Sequence, residues 1–163
     1  MENKMIIGNL EQIGIQLEYI IEFKSPSGLF NFIIDDELIP GKGTITDLFM
    51  VISSLKNTFH YNLDEKNFEI GKKKIEDINF ADGEPENLIY VDCSELSDYG
   101  CVFWLGYDGD EERLFYSNDF EKTFREQRYP KGTLANLIDS LPNSFELKIN
   151  RINDDITNTE IIS

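Results

Sequence analysis

Ile13-Gly14-Ile15-Gln16-Leu17-Glu18-Tyr19 alternates apolar and polar positions, the period of a strand that buries one face. Ile20-Ile21-Glu22-Phe23 continues the pattern, and Ser25-Pro26-Ser27-Gly28 is expected to break it. Leu29 to Ile34 reads as a second strand. Asp35-Asp36 is a tight turn into a short third one, Glu37-Leu38-Ile39. Together they make a meander.

Pro40-Gly41-Lys42-Gly43 ends that meander, after which Thr44 or Thr46 can cap a helix by accepting a bond from an orphan backbone N–H. Ile45, Leu48, Phe49, Ile52, Leu55 and Phe59 fall on one helical stripe, placed to pack on the sheet. From Asn57 to Glu86 no period dominates. Phe68-Glu69-Ile70 fits a short strand, and Lys72 to Ile78 fits a helical turn or a strand.

Order returns with a strand from Asn87 to Asp92 and a stronger one from Gly100 to Tyr107, where Val102 and Trp104 face away from Cys101, Phe103 and Leu105. Asp108-Gly109-Asp110 is a turn signal, and Arg113 to Ser117 is the returning partner. Phe120 to Tyr129 is a polar-edged strand ending at Pro130. Lys131-Gly132-Thr133 then opens a second helix carrying Leu134, Leu137, Ile138 and Leu141, stopped by Pro142. Phe145 to Ile152 is the last expected strand, and the polar tail is expected to fray beyond about residue 155. The fold class is therefore α+β: one domain over residues 1–163, mainly antiparallel sheet, with two packed helices. The two junctions share chemistry, Pro40-Gly41-Lys42-Gly43-Thr44 against Pro130-Lys131-Gly132-Thr133. An internal duplication and a twice-reached capping solution both account for that.

The charge is local. Between Ile75 and Glu112, 38 residues hold twelve carboxylates and no Lys or Arg, out of a net charge of −16 for the 163-residue chain. The other 125 residues carry 19 acids against 15 bases. With 40% hydrophobic residues and 12 Phe, the charge decorates a folded body rather than a disordered one. Such a chain is repelled by phosphate backbones and anionic lipid, which argues against nucleic acid and membrane as partners and for a basic protein. Met1 to Gly8 lacks the features of a secretory signal, and no apolar run reaches the roughly 18 residues of a membrane helix, so a cytoplasmic location is expected. Cys93 and Cys101 read as reduced, partly buried thiols, a disulfide being the lesser alternative.

Catalytic and metal signatures are weak. Asp108-Gly109-Asp110-Glu111-Glu112 fails the EF-hand spacing when Asp108 is taken as its first ligand. Gly41-Lys42-Gly43-Thr44 lacks the earlier glycine of a P-loop. His60, at the end of the first helix, suits the negative end of the helix dipole better than a general-base role. No catalytic residue, metal ligand or cofactor is assigned, and no enzyme activity is expected. The candidate contacts for a basic partner are Tyr107, Asp108, Asp110, Glu111 and Glu112 around the hairpin turn, then Asp82, Glu84 and Glu86. Trp104 and Phe103 suit a core better than a binding platform.

Three blocks also carry a family likeness: Ile6-Ile7-Gly8-Asn9 leading into Ile15 to Tyr19, then Phe30 to Pro40, then Leu105 to Ser117. They resemble the immunity protein 42 family of bacterial polymorphic toxin systems, over residues 6 to about 145. The resemblance implies an α+β cytosolic protein that binds and neutralises a cognate toxin domain, and it brings no catalytic residues. An acidic scaffold or nucleic-acid mimic for another basic partner is the competing function, and a small hydrolase would need a pocket with convergent polar groups.

Overall fold

A computed structural model describes residues 3–22, 25–62, 68–83, 85–143, 147–151 and 157–161. The first sheet is a meander of β1 (Asn3–Asn9), β2 (Ile13–Glu22), β3 (Ser25–Ile34) and β4 (Glu37–Ile39), each antiparallel to its neighbour. Its register sets Ile15 opposite Phe32 and Leu17 opposite Phe30. The alternation of β2 thereby buries Ile13, Ile15, Leu17 and Tyr19 on one face. Asp35 and Asp36 take φ of 52° and 61°, the left-handed pair that a two-residue hairpin turn needs.

Two expectations fail here. Ser25 to Gly28 is strand rather than break, with Pro26 paired to Ile21 and Gly28 to Tyr19. Proline is tolerated near the start of a strand, where a missing N–H costs least. Gly28 is required because a Cβ there would lie 2.1 Å from the Glu18 carbonyl oxygen. The first helix also begins later than its stripe suggested. Thr46–Asp47 forms β5 against Ser27 and Gly28, leaving Ile45 ahead of α1 (Leu48–Asn62) and 61% exposed. The cap is Asp47, whose Oδ1 accepts from the Phe49 and Met50 N–H groups at 2.9 and 3.4 Å. Thr46 instead donates its hydroxyl to the Gly28 carbonyl. Leu48, Val51, Ile52 and Leu55 form the buried stripe of α1, each such side chain stabilising the fold by roughly 1.5–3 kcal/mol. The His60 side chain lies outside the described part.

The second sheet runs β6 (Ile89–Tyr90), β7 (Val102–Asp108), β8 (Glu111–Ser117) and β9 (Arg125–Pro130), again antiparallel throughout. α2 (Thr133–Asp139) follows and buries Leu134, Leu137 and Ile138. The alternation in β7 holds: Cys101, Phe103 and Leu105 enter the main core, while Val102 and Trp104 belong to a separate apolar cluster on the outer face. Phe32 and Phe103, 4.9 Å apart by ring centroids, join the two sheets across the core. Lys42 adds a second tie, donating to the carbonyls of Tyr99 and Asn118 at 2.7 and 3.2 Å. Cys93 and Cys101 are free, fully buried thiols.

The outer face of the second sheet is covered by the segment for which the sequence had no period. Residues 68–83 and 85–88 cross it as a strap, laying Ile70, Ile75, Ile78, Phe80 and Leu88 on Trp104 and Phe115. Only Glu69 pairs as a strand residue, in one parallel bridge to Tyr107, and Ile75–Asp77 is a single 3-10 turn. Gly106 admits the strap, since a Cβ there would sit 2.6 Å from Leu88 and 2.9 Å from Ile70. Arg113, 2% exposed, pins it: one Nη donates to the Gly71 carbonyl at 2.9 Å while the guanidinium is paired with Glu126. Past α2, Leu147–Arg151 (β10) pairs antiparallel with Thr157–Ile161 (β11). Residues 145, 146 and 152 of the expected last strand lie outside the described residues.

Arg113→Ala removes the pin and leaves the Glu126 carboxylate without its buried partner. Loss of a buried pair of this kind costs about 3 kcal/mol. Urea unfolding should show that loss, with faster amide exchange at Ile70 and Gly71 than in the sheet interior.

Candidate functional site

The acidic stretch is divided by the fold into parts that face different neighbours. At the hairpin turn, Gly109 at φ +60° allows the reversal and projects Asp110 and Glu111 outward. Asp108 is only 18% exposed at its side chain and is paired with Arg128 at 2.9 Å. Glu111, 56% exposed, lies 3.9 Å from the same guanidinium. The Gly109 N–H donates to Glu69 Oε1 at 3.0 Å, so the strap supplies a further carboxylate to the turn. Beside it Lys131 sits 4.3 Å above the half-buried Tyr107 ring.

Glu112 is placed elsewhere. As the next residue along β8 it points inward, is 1% exposed, and accepts the Leu134 N–H at 2.9 Å. It caps α2 from another strand, which removes it from the surface offered to a partner. Burial pushes its carboxyl up to about 7, against the lowering effect of the Leu134 and Thr133 N–H groups.

Asp82 and Glu86 are both exposed, and Asp82 accepts the Asn79 side-chain amide at 2.8 Å. With Ile70, Lys73 and Asp77 they line a cavity of about 280 Å³ within the strap. Ile70 donates its N–H to the Tyr107 carbonyl near the hairpin turn, while Phe80 stacks on Phe124 at 4.0 Å, so the strap runs along the outer face and carries Asp82 toward the start of β9. The fold thus brings Asp108, Asp110, Glu111, Asp82 and Glu86 to the outer side of the second sheet. Glu84 lies outside the described residues.

Sequence reading missed the cations that answer this field. Arg128 and Lys131 stand beside the turn, and Arg113 and Glu126 lie beneath it. The available signal was the run Arg125-Glu126-Gln127-Arg128, which alternates across a strand paired with β8, setting Arg128 opposite Arg113. The site's chemistry is charge and hydrogen-bond acceptance: carboxylates held on a rigid turn and on a pinned strap. Among the described residues no three His, Cys, Asp or Glu side chains are grouped to hold a metal ion, and no helix is long and apolar enough to cross a membrane.

Comparison with known proteins gives two matches. The family model described as immunity protein 42 matches residues 5–144. The crystal structure of CdiI from Burkholderia dolosa AUO158 is similar with a TM-score of 0.56 at 16% identity, covering 83% of this chain and 96% of that one. At that identity the likeness is one of fold. No curated protein matches.

The raised Glu112 carboxyl gives a pH dependence of definite sign. Between the ordinary value of 4.5 and about 7, the folded state keeps a proton that the unfolded chain has released. Its contribution is therefore complete below about 4.5 and is lost as pH rises through 7. The difference corresponds to roughly 3 kcal/mol. Glu112→Gln keeps an acceptor for Leu134 without a charge, so urea unfolding of this variant between pH 5 and 8 should show a flatter stability profile than the parent chain.

Proposed function

Because the chain belongs to the immunity protein 42 family, its model covering residues 5–144, we propose that it binds and neutralises a cognate bacterial toxin domain in the cytoplasm by occluding it. The partner is basic, and the occluding surface is the acidic outer side of the second sheet. The observation that carries this reading is that two acidic loops stand on one side of one sheet. Asp110 and Glu111 come from the β7–β8 turn, Asp82 and Glu86 from the strap.

Electrostatics supports the mechanism in two ways. A net charge of −16 attracts a basic domain and speeds encounter, an effect that weakens with salt. The ion pairs of Arg128 are also exchangeable. They lie at the surface, where such a pair contributes between about 0 and 1 kcal/mol. A toxin arginine or lysine can displace Arg128 from Asp108 and Glu111 at little cost and gain the same carboxylates. Tyr107, paired with Glu112, is half-buried against the main core and stands behind the turn rather than on its acidic side. Glu112 takes no part in contact; it holds α2 behind the turn. Inhibition in this reading needs no catalytic residue and no cofactor, because the carboxylates compete for the cationic groups with which the toxin grips its own target.

The gene immediately upstream should encode a toxin domain, and co-expression with it should restore growth to cells that the toxin alone kills. Absence of rescue sinks the immunity reading and leaves an acidic module for a different basic partner. The double variant Asp110→Lys and Glu111→Lys should slow association about tenfold at low salt with unchanged melting temperature. Equal association rates for parent and variant would remove the hairpin turn from the contact surface.

A further inference from the structure

The first sheet also has an outer face, and it keeps apolar side chains in solvent. The register sets Gly8, Gly14, Ile33 and Leu38 in one row across β1, β2, β3 and β4. Leu10 folds onto the middle of that row, since a Cβ on Gly14 would lie 2.6 Å from Leu10 Cδ2 and 3.6 Å from Ile33 Cδ1. Ile6 stands in the next row of the same face, opposite Gln16. Leu10, Leu38 and Ile6 remain 49%, 43% and 60% exposed, on the side of the sheet away from the buried Ile15 and Phe32. Scattered singly such residues need no explanation; here they adjoin one another.

This strip runs into a cleft. Leu10 is one wall of a cavity of about 490 Å³ where the β1–β2 turn, the β3–β4 turn and β9 meet, and Glu11, Asp35, Asp36, Arg128 and Tyr129 also line it. Glu11, Asp35 and Asp36 are exposed, and none of them forms an ion pair with another described residue. Arg128 is already engaged by carboxylates that do not line the cleft, Asp108 at 2.9 Å with Glu111 and Glu126 at 3.9 Å. The negative charge of the lining is therefore left unanswered. Tyr129 supplies an independent sign. It is 4% exposed, and its hydroxyl is buried with no hydrogen-bond partner among the described residues. Buried polar groups are nearly always paired, so an unpaired one in the wall of a cleft is an oxygen left for an incoming donor.

We propose that this cleft and the strip beside it form a second docking surface for the toxin domain, one that takes a lysine or arginine lying next to an apolar side chain. The cation sits among Glu11, Asp35 and Asp36 and donates toward the Tyr129 hydroxyl, while its apolar neighbour covers Leu10 and Leu38. The inference rests on the toxin-neutralising function proposed above and extends its contact surface to the turn end of the first sheet. Arg128 joins the two areas, since it lines the cleft and pairs with Asp108 of the hairpin turn. A second copy of this chain is the other candidate occupant, and charge decides against it. A two-fold contact sets one patch against itself, which brings Glu11, Asp35 and Asp36 toward their own copies on molecules of net charge −16. A basic partner meets no such repulsion, and it gains both the apolar burial and the unpaired carboxylates.

The test uses the full chain and the toxin domain expected from the gene immediately upstream. Affinity is read by calorimetry, melting temperature in parallel, and the mass of the free chain by sedimentation. Asp35 and Asp36 hold φ of 52° and 61°, a backbone that asparagine adopts readily, so the double variant Asp35→Asn and Asp36→Asn removes charge and keeps the turn. Its affinity should fall about tenfold, more at low salt, with the melting temperature unchanged or raised. Leu38→Ser should weaken binding about fivefold at constant net charge, and Tyr129→Phe about threefold without loss of melting temperature. If the parent binds and either the double variant or Leu38→Ser stays within about twofold of it, the second surface is overturned. A free chain that sediments as a dimer, and as a monomer once Leu38→Ser is made, assigns the face to a second copy and overturns it as well. Failure of the parent to bind at all overturns the toxin-neutralising reading itself.

Discussion

The two central strands of the second sheet, β7 and β8, are apolar on both faces, and most of what is distinctive in this structure follows from having to cover both. Phe103, Leu105, Leu114 and Tyr116 are drawn into the core shared with the first sheet, whereas Trp104 and Phe115 are left facing outward. Water cannot be left on that outer face without forfeiting roughly 25 cal/mol per Å² of apolar surface. Among the described residues no α-helix covers it; α1 and α2 serve the inner core. The strap does, and because it has no sheet or helix ladder of its own it relies on point contacts and on the Arg113 pin.

That arrangement decides where charge can go. Strand positions on both faces are committed to packing, so carboxylates are confined to turns, to the strap's outward side and to strand ends. Glu112, the one buried acid among the described residues, is accommodated because α2 begins against it with N–H groups to offer. The basic residues of β9 then trim the field at the hairpin turn, leaving Asp110 and Glu111 outward while Asp108 is paired. A sequence shows that a stretch is acidic; which of its acids are already answered is a property of the neighbouring strand.

Legibility in the sequence followed the same physics. Strands with one buried face and helices with one buried stripe announce themselves by period, and β2, the turn at Asp35-Asp36, the opposite facing of Trp104 and Phe103, and α2 were all readable for that reason. The start of α1 was not, because Thr46 and Asp47 are captured by β3, a choice made by a strand twenty residues away. The strap left no period because its apolar residues answer to positions on the sheet rather than to one another. Glu112 read as one more surface acid, since its partner, the Leu134 N–H, is 22 residues further along the chain. Arg128 stayed silent for the same reason.

Charge by itself makes a poor lock. At physiological ionic strength the screening length is about 8 Å, so carboxylates spread over an exposed side act mainly on encounter and orientation. A surface of −16 attracts every basic protein in its compartment to some degree. Discrimination must therefore come from features that fix distances. Here those are the glycine-closed turn holding Asp110 and Glu111, and the strap whose position is set by Gly106 and Arg113. In the function proposed above, the spacing between the two acidic loops is set by the strap's packing on Trp104 and Phe115, and a partner would be selected by whether its cations match that spacing. Selectivity of that kind would depend on an apolar cluster of three buried side chains, Leu88, Trp104 and Phe115, and on the point contacts laid over it.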